Sequence, residues 1–170
     1  MRSAIWAVLL ATLLTACSSD PYPLPPDPAH AGQLNPALVG KPVTAIVIYL
    51  EIRPGDRIEL LGAEPAHPIE GATVRFLLDR PVVDTDSVTF TGEALEALDG
   101  AVITPVSASP GPANQVGIVA ELTAQRPGRF EMRSVRLRYR LNGGAERAGE
   151  GITVVWTVCA DTPAPADCPE

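Results

Sequence analysis

Three aspartates lie close together in one turn-rich stretch and are the first candidate for a functional site. They are Asp79, Asp84 and Asp86, and Arg80-Pro81 interrupts the stretch after the first of them. Loop carboxylates are ligands that calcium takes in proteins, so the three residues are a candidate calcium site. The alternative is a plain turn, because aspartate readily bonds to its own backbone there.

Nucleophilic catalysis needs a serine, cysteine or threonine beside a base, and the chain offers few bases. Its two histidines are His30, in a proline-rich stretch, and His67, between two prolines. There is no Gly-X-Ser-X-Gly elbow, and soft or imidazole ligands are too few for zinc or copper. We therefore assign no catalytic residue, expect no cofactor and predict that the protein is not an enzyme. A wall-acting hydrolase built on paired carboxylates is the alternative.

A row of arginines is the clearest pattern on the predicted surface. Arg136, Arg138 and Arg140 alternate with apolar residues from Val135 to Leu141, as in a half-buried strand. One interpretation is a docking ladder for an anionic protein face or wall polymer, because guanidinium groups bind carboxylates or phosphates in a bidentate manner. The other is a solvated face paired across strands with acidic residues. The acidic candidates for that pairing are Glu121, Glu131 and Glu146.

Two cysteines near the C-terminus form a candidate structural bond. Cys159 and Cys168 bracket a segment with two prolines, and their spacing differs from the Cys-X-X-Cys redox arrangement. In an exported protein such a pair persists as a disulfide. We expect it to clip the tail, residues 161–170, to the end of the last strand.

The N-terminus has the features of an export signal. Arg2 is followed by an apolar run and then by Leu14-Thr15-Ala16-Cys17, with a small residue just before the cysteine. The apolar core is too short to span a bilayer, for which about 20 residues are needed. The motif resembles the lipobox of bacterial lipoprotein precursors. An ordinary secretory signal is the alternative.

The resemblance implies a location and an anchor. Residues 1–16 would be the signal peptide, and Cys17 would carry a diacylglycerol and a further fatty acyl chain such as palmitate. The partner would be the membrane itself, through that lipid. The protein would be exported and held on the outer face of the cell membrane or, if the cell has one, on the outer membrane.

Composition excludes one class of partner. The 170-residue chain has a formal net charge of −7, and an acidic protein is a poor non-specific ligand for nucleic acid. Prolines recur through residues 17–42, so we predict an extended polyproline tether after the lipidated cysteine.

The chain from residue 43 to 160 predicts one all-β domain. Short apolar or alternating runs are separated by turn signals, as in the run Val43–Leu50, and Trp156 is expected in the core. Glu93–Asp99 is the one stretch with a helical pattern, and we expect a long loop from Asn142 to Gly151. About seven to eight strands predict an antiparallel immunoglobulin-like sandwich, with a jelly roll or barrel as the alternative.

Together these features predict a non-catalytic envelope lipoprotein with a binding or accessory module. An envelope protein or wall polymer would be its partner. The alternatives are a small-molecule or calcium-binding envelope protein and the hydrolase already named.

Overall fold

The computed structural model of the chain describes residues 31–84, 87–92 and 94–160. Those residues form eleven strands and a single turn of 3-10 helix at Pro112–Asn114. The strands are β1 (Ala31–Ala37), β2 (Pro42–Glu51), β3 (Ile58–Pro65), β4 (Ala72–Asp79), β5 (Val82–Asp84), β6 (Ser87–Thr89), β7 (Glu96–Ala97), β8 (Val102–Ile103), β9 (Gln115–Ala124), β10 (Gly128–Leu141) and β11 (Glu146–Ala160).

The strands form a sandwich of two sheets and a separate hairpin. One sheet has the order β1-β11-β10-β3-β8, the other β2-β9-β4-β7, and the hairpin is β5-β6. Neither large sheet closes into a barrel. The all-β sandwich predicted from the sequence is therefore confirmed.

The long strands follow the immunoglobulin arrangement. Seven strands have seven residues or more, and the others have two or three. The second, fourth and fifth long strands (β2, β4 and β9) share one sheet, and the third, sixth and seventh (β3, β10 and β11) share the other. That division matches the B, D, E and C, F, G strands of immunoglobulin domains. The prediction of an antiparallel sandwich needs one correction, because β1 pairs with β11 in parallel at the edge of its sheet.

The core lies between the two sheets. Leu60, Leu137 and Trp156 face inward from one sheet, and Leu50 and Leu122 from the other. Each of these side chains is at most 2% exposed. Trp156 is buried in the core as predicted. Burial of such apolar surface is the main favourable contribution to folding.

The predicted tether ends earlier than residue 42. Residues 31–37 form β1, which lies at the edge of its sheet against β11 alone. Pro36 is tolerated there because an edge strand needs hydrogen bonds on one side only, and Pro42 stands at the first position of β2. The first strand in the described part of the chain is therefore β1, ahead of the run that begins at Val43.

Two further local predictions are wrong. Residues 94–99 form no helix, because Glu96 and Ala97 pair as β7 with Leu78 and Leu77 of β4. The loop after β10 is also shorter than predicted. Asn142 and Gly143 both have positive φ, 53° and 70°, and the Gly144 amide donates to the Leu141 carbonyl at 2.9 Å. This tight turn suits the twist of antiparallel strands, so β11 begins at Glu146.

Candidate functional site

The predicted arginine row lies on the outer face of β10. Its neighbours Val135, Leu137 and Tyr139 are buried, while the three arginines are partly exposed. The period-2 pattern of the sequence therefore assigned the two faces of this half of the strand correctly.

Each arginine of the row contacts a carboxylate on a neighbouring strand. The pairs are Arg136 Nη1 with Glu64 Oε1 at 2.8 Å, Arg138 Nη1 with Glu146 Oε1 at 3.5 Å, and Arg140 Nη1 with Glu59 Oε2 at 3.6 Å. Strand register explains two of them, because Glu64 and Glu59 of β3 lie directly opposite Arg136 and Arg140. Three positive charges thus meet three negative ones.

Two of the three acidic partners predicted for the row bond elsewhere. Glu121 accepts hydrogen bonds from Arg75 on β4, at 2.6 and 3.0 Å. Glu131 contacts Arg129 at 2.6 Å and Arg133 at 2.7 Å on its own strand. The hydrogen bond from Arg133 is the largest cause that lowers the pKa of Glu131. The arrangement favours the paired-face interpretation, and docking of an anionic partner at the row stays a prediction.

The candidate calcium ligands do not form a site in the described residues. Asp79 is 1% exposed, and its Oδ2 accepts a hydrogen bond from the Gly92 amide at 3.0 Å. Asp84 belongs to β5, and Asp86 lies outside the described residues. Within residues 31–84, 87–92 and 94–160, no group of three or more histidines, cysteines or acidic residues could hold a metal ion. Asp79 instead fastens the following connection to the end of β4.

The cysteine predictions fall mostly beyond the described residues. Cys17 and Cys168 both lie outside them, so lipidation and the Cys159–Cys168 bond stay predictions. Cys159 itself is on β11, opposite Arg129 of β10 and Pro36 of β1. His67 is an exposed residue of the β3–β4 connection. In the described part of the chain it forms no hydrogen bond or ion pair with an acidic residue.

A long connection, residues 80–114, joins β4 to β9. Connections longer than about 12–15 residues are uncommon in compact domains unless they contain secondary structure of their own. This one includes the short strands β5 to β8, of which β7 and β8 extend the edges of the two sheets at β4 and β3. We call residues 80–114 the insertion. Turn signals occur in this part of the sequence, but nothing there indicates how the segment is held.

Buried and charged side chains fix the insertion in place. Asn114 is 3% exposed; its Oδ1 accepts from the Val106 and Ser107 amides, at 2.9 and 2.8 Å, and its Nδ2 donates to the Ser107 and Ser109 carbonyls. Arg80 donates to Glu96 and to the Val102 carbonyl. These contacts, together with Asp79, tie the insertion at several separate points.

The insertion exposes apolar side chains although it is well fixed. Val106 is 72% exposed, Val82 57% and Val83 48%. Val83 and Val106 line the same small cavity, whose volume is about 120 Å³. We call Val83 and Val106 the valine patch. In the described residues the β5–β6 hairpin pairs with neither large sheet.

A larger cavity opens between the two sheets at the edge formed by β3 and β4, where β8 and β7 of the insertion also pair. Its volume is about 430 Å³, and its walls come from β3, β4, β10 and the segment around β7. Phe76, Leu77 and Leu98 supply apolar surface. Arg138 and Asp99 supply opposite charges. We call this the inter-sheet cavity, and no sequence pattern indicated it, because its walls meet only through tertiary packing.

Comparison with known proteins gave no relative: neither the family models, nor the curated proteins, nor the solved structures contained a match. No helix in the described part of the chain is long and apolar enough to cross a membrane.

Proposed function

We propose that the protein is an envelope lipoprotein whose immunoglobulin-like domain is a non-catalytic binding or assembly module. Cys17 would anchor it through a diacylglycerol, and residues 18–30 would separate the domain from the membrane. The sequence Leu14-Thr15-Ala16-Cys17 behind an apolar run supports the anchor. Two or more acyl chains are needed for stable anchoring, and a diacylglyceryl cysteine supplies them.

The observation that carries the binding role is the valine patch on the fixed insertion. Exposed apolar surface on an otherwise charged domain is typical of a contact with another protein. Backbone amides that donate to Asn114 and Asp79 order the segment before any partner arrives, which lowers the entropic cost of binding. The partner is therefore another envelope protein that offers an apolar surface.

The paired arginine row supports the same choice of surface. Its charges are already compensated by Glu59, Glu64 and Glu146, so the row as a whole attracts an anionic polymer only weakly. The alternative is that an anionic wall polymer binds to the arginine row, and the experiment must distinguish it from a protein partner at the valine patch.

Crosslinking in the native envelope tests the proposal. The full-length protein and a Val83→Ser, Val106→Ser variant are captured after mild crosslinking, and the associated proteins are identified by mass spectrometry. Val39→Ser is the matched control, because Val39 is also exposed and its neighbour Gly40 donates to the Ala124 carbonyl, at the end of β9 away from the insertion. We expect one specific partner with the wild type and the control, and its loss in the double variant.

Two other results would contradict the proposal. A partner retained by the valine variant but lost on Arg136→Gln, Arg138→Gln, Arg140→Gln would assign docking to the arginine row. Mass spectrometry of the mature N-terminus is the separate test of the anchor, and an unmodified Cys17 would remove it.

A further inference from the structure

We propose that the inter-sheet cavity binds an α-amino acid with an apolar side chain. The site is separate from the valine patch, so the inference goes beyond the proposed docking role. Arg138 would bind the carboxylate of the ligand, Asp99 its ammonium group, and the apolar wall its side chain.

The central feature is a pair of opposite charges that converge without bonding to each other. A Cβ atom on Gly62 would lie 3.0 Å from Arg138 Nη2 and 3.0 Å from Asp99 Oδ1. The two charged atoms are therefore no more than about 6 Å apart, twice the distance of either from that position. In the described residues Arg138 pairs with Glu146, and no ion pair joins it to Asp99. Both side chains line the inter-sheet cavity, so a small dipolar ligand in that cavity could reach both charges.

Glycine at position 62 lets the two charged side chains approach the backbone. Gly62 has φ of 146°, a backbone conformation that favours glycine, and a Cβ atom there would be only 3.0 Å from each charged atom and would push them away. A shift in register between β3 and β10 occurs at this point, since Gly62 pairs with Arg138 and Leu60 with Tyr139. Such bulges are common beside binding sites, where they redirect side chains.

The same bulge holds the arginine in position. Arg138 Nη2 donates to the carbonyl of Leu61, the extra residue of β3, at 3.2 Å. Its Nη1 contacts Glu146 at 3.5 Å. A guanidinium has five N–H donors, so donors remain for a ligand carboxylate. The positioning contacts reduce the side-chain entropy that binding must remove.

The shape and lining of the cavity fit the rest of an amino acid. Its volume of about 430 Å³ lies in the range of small-molecule sites. Phe76, Leu77 and Leu98 line it, and Leu98 is buried in the core. The ammonium and α-carboxylate of an amino acid are adjacent, which matches two charges about 6 Å apart at most. An apolar pocket with a few convergent polar groups is the usual form of such a site.

Titration of the full-length protein in detergent tests the inference, with amide NMR shifts as the readout. The probes are L-leucine, 4-methylpentanoate, which lacks the ammonium, and 3-methylbutylamine, which lacks the carboxylate. We expect saturable shifts at Gly62 and Asp99 with leucine, and at least about tenfold weaker binding of either analogue, since each leaves one charged group of the site unpaired.

Variants separate the site from general surface effects. Asp99→Asn and Arg138→Gln should each weaken leucine binding at least about tenfold. Arg140→Gln is the matched control, because Arg140 is on the same face of β10 but does not line the cavity. Gly62→Ala should abolish binding. If the Gly62→Ala protein fails to fold, the Asp99 and Arg138 variants alone test the inference. Absence of saturation by about 20 mM leucine would overturn the inference, as would equal affinities for the three probes. None of these results depends on the valine patch.

Discussion

The outer face of β10 and the insertion use polar side chains in opposite ways. On β10 the charged groups point to solvent and pair with one another, while the apolar side chains face the core. At the insertion, the polar groups of Asn114 and of Asp79, the last residue of β4, are buried and hold the backbone, while valines point to solvent. A charged face of this kind serves solubility and register. We propose that the ordered segment with its exposed apolar groups serves instead as a contact surface.

Of the substitutions that test this contrast, replacement of Asn114 should reduce the stability of the domain most. Asn114→Ala removes four hydrogen bonds and leaves the Val106 and Ser107 amides without their acceptor. We expect a loss of about 3 kcal/mol in the free energy of unfolding, measured by urea denaturation. Asn114→Asp keeps the acceptor but loses both donations to the Ser107 and Ser109 carbonyls, so it should also lose stability and shows that both kinds of bond are needed. An Ala variant as stable as the wild type would show that the insertion is held by other contacts.

Removal of the Asp79 carboxylate should have the next largest effect. Asp79→Ala deprives the Gly92 amide of its acceptor in a buried position, and we expect a loss of about 2 kcal/mol. Hydrogen exchange should become faster near Gly92 while the β10 and β11 amides keep their protection. If exchange rose equally throughout the domain, Asp79 would support the whole fold and not the insertion in particular.

The paired face should be much less sensitive. A double-mutant cycle with Arg136→Gln and Glu64→Gln should give a coupling of about 0.5 kcal/mol, because exposed ion pairs are screened by water and salt. Arg140 and Glu59, whose atoms are 3.6 Å apart, should couple still more weakly. A coupling comparable with the Asn114 effect would contradict the contrast drawn between the two regions.

The smallest expected effect concerns pH. Arg133 and Arg129 lower the pKa of Glu131 from its ordinary value of 4.5, so its ion pairs favour the folded state above that pH. This contribution is lost as the pH falls through the lowered pKa of the folded state. The difference in Tm between wild type and Glu131→Gln should therefore be constant from pH 7 to about 5 and shrink below about 4.5. A difference in Tm that did not change with pH would show that the ion pairs of Glu131 do not contribute to stability.

Local pattern predicted some features well and missed others for a physical reason. The alternation from Val135 to Leu141 correctly assigned both faces of that strand, because side chains in a strand alternate with period 2. Glu59 and Glu64 were missed as partners of the arginines, because the pairing of β3 with β10 joins residues far apart in sequence. Prolines between residues 31 and 42 suggested a tether, but an edge strand tolerates them.

The candidate sites were less accessible to sequence reasoning than the fold. Nothing near Asn114 distinguishes a buried amide with four bonds from an ordinary turn residue. The inter-sheet cavity depends on Gly62, Asp99 and Arg138, which come from three separate segments. The three aspartates predicted to bind calcium are close together in sequence, yet Asp79 accepts a hydrogen bond from a backbone amide instead. Adjacency along the chain is a poor guide to a site built by tertiary contacts.

The placement of β1 has a consequence for the order of events during synthesis. In the described part of the chain this first strand hydrogen-bonds only to β11, the last one, so its partner is made at the very end. The other sheet, β2-β9-β4, is complete before β11 exists. β1 therefore lacks its partner strand while the rest of the domain assembles, and closure of this edge of the sheet is a late step.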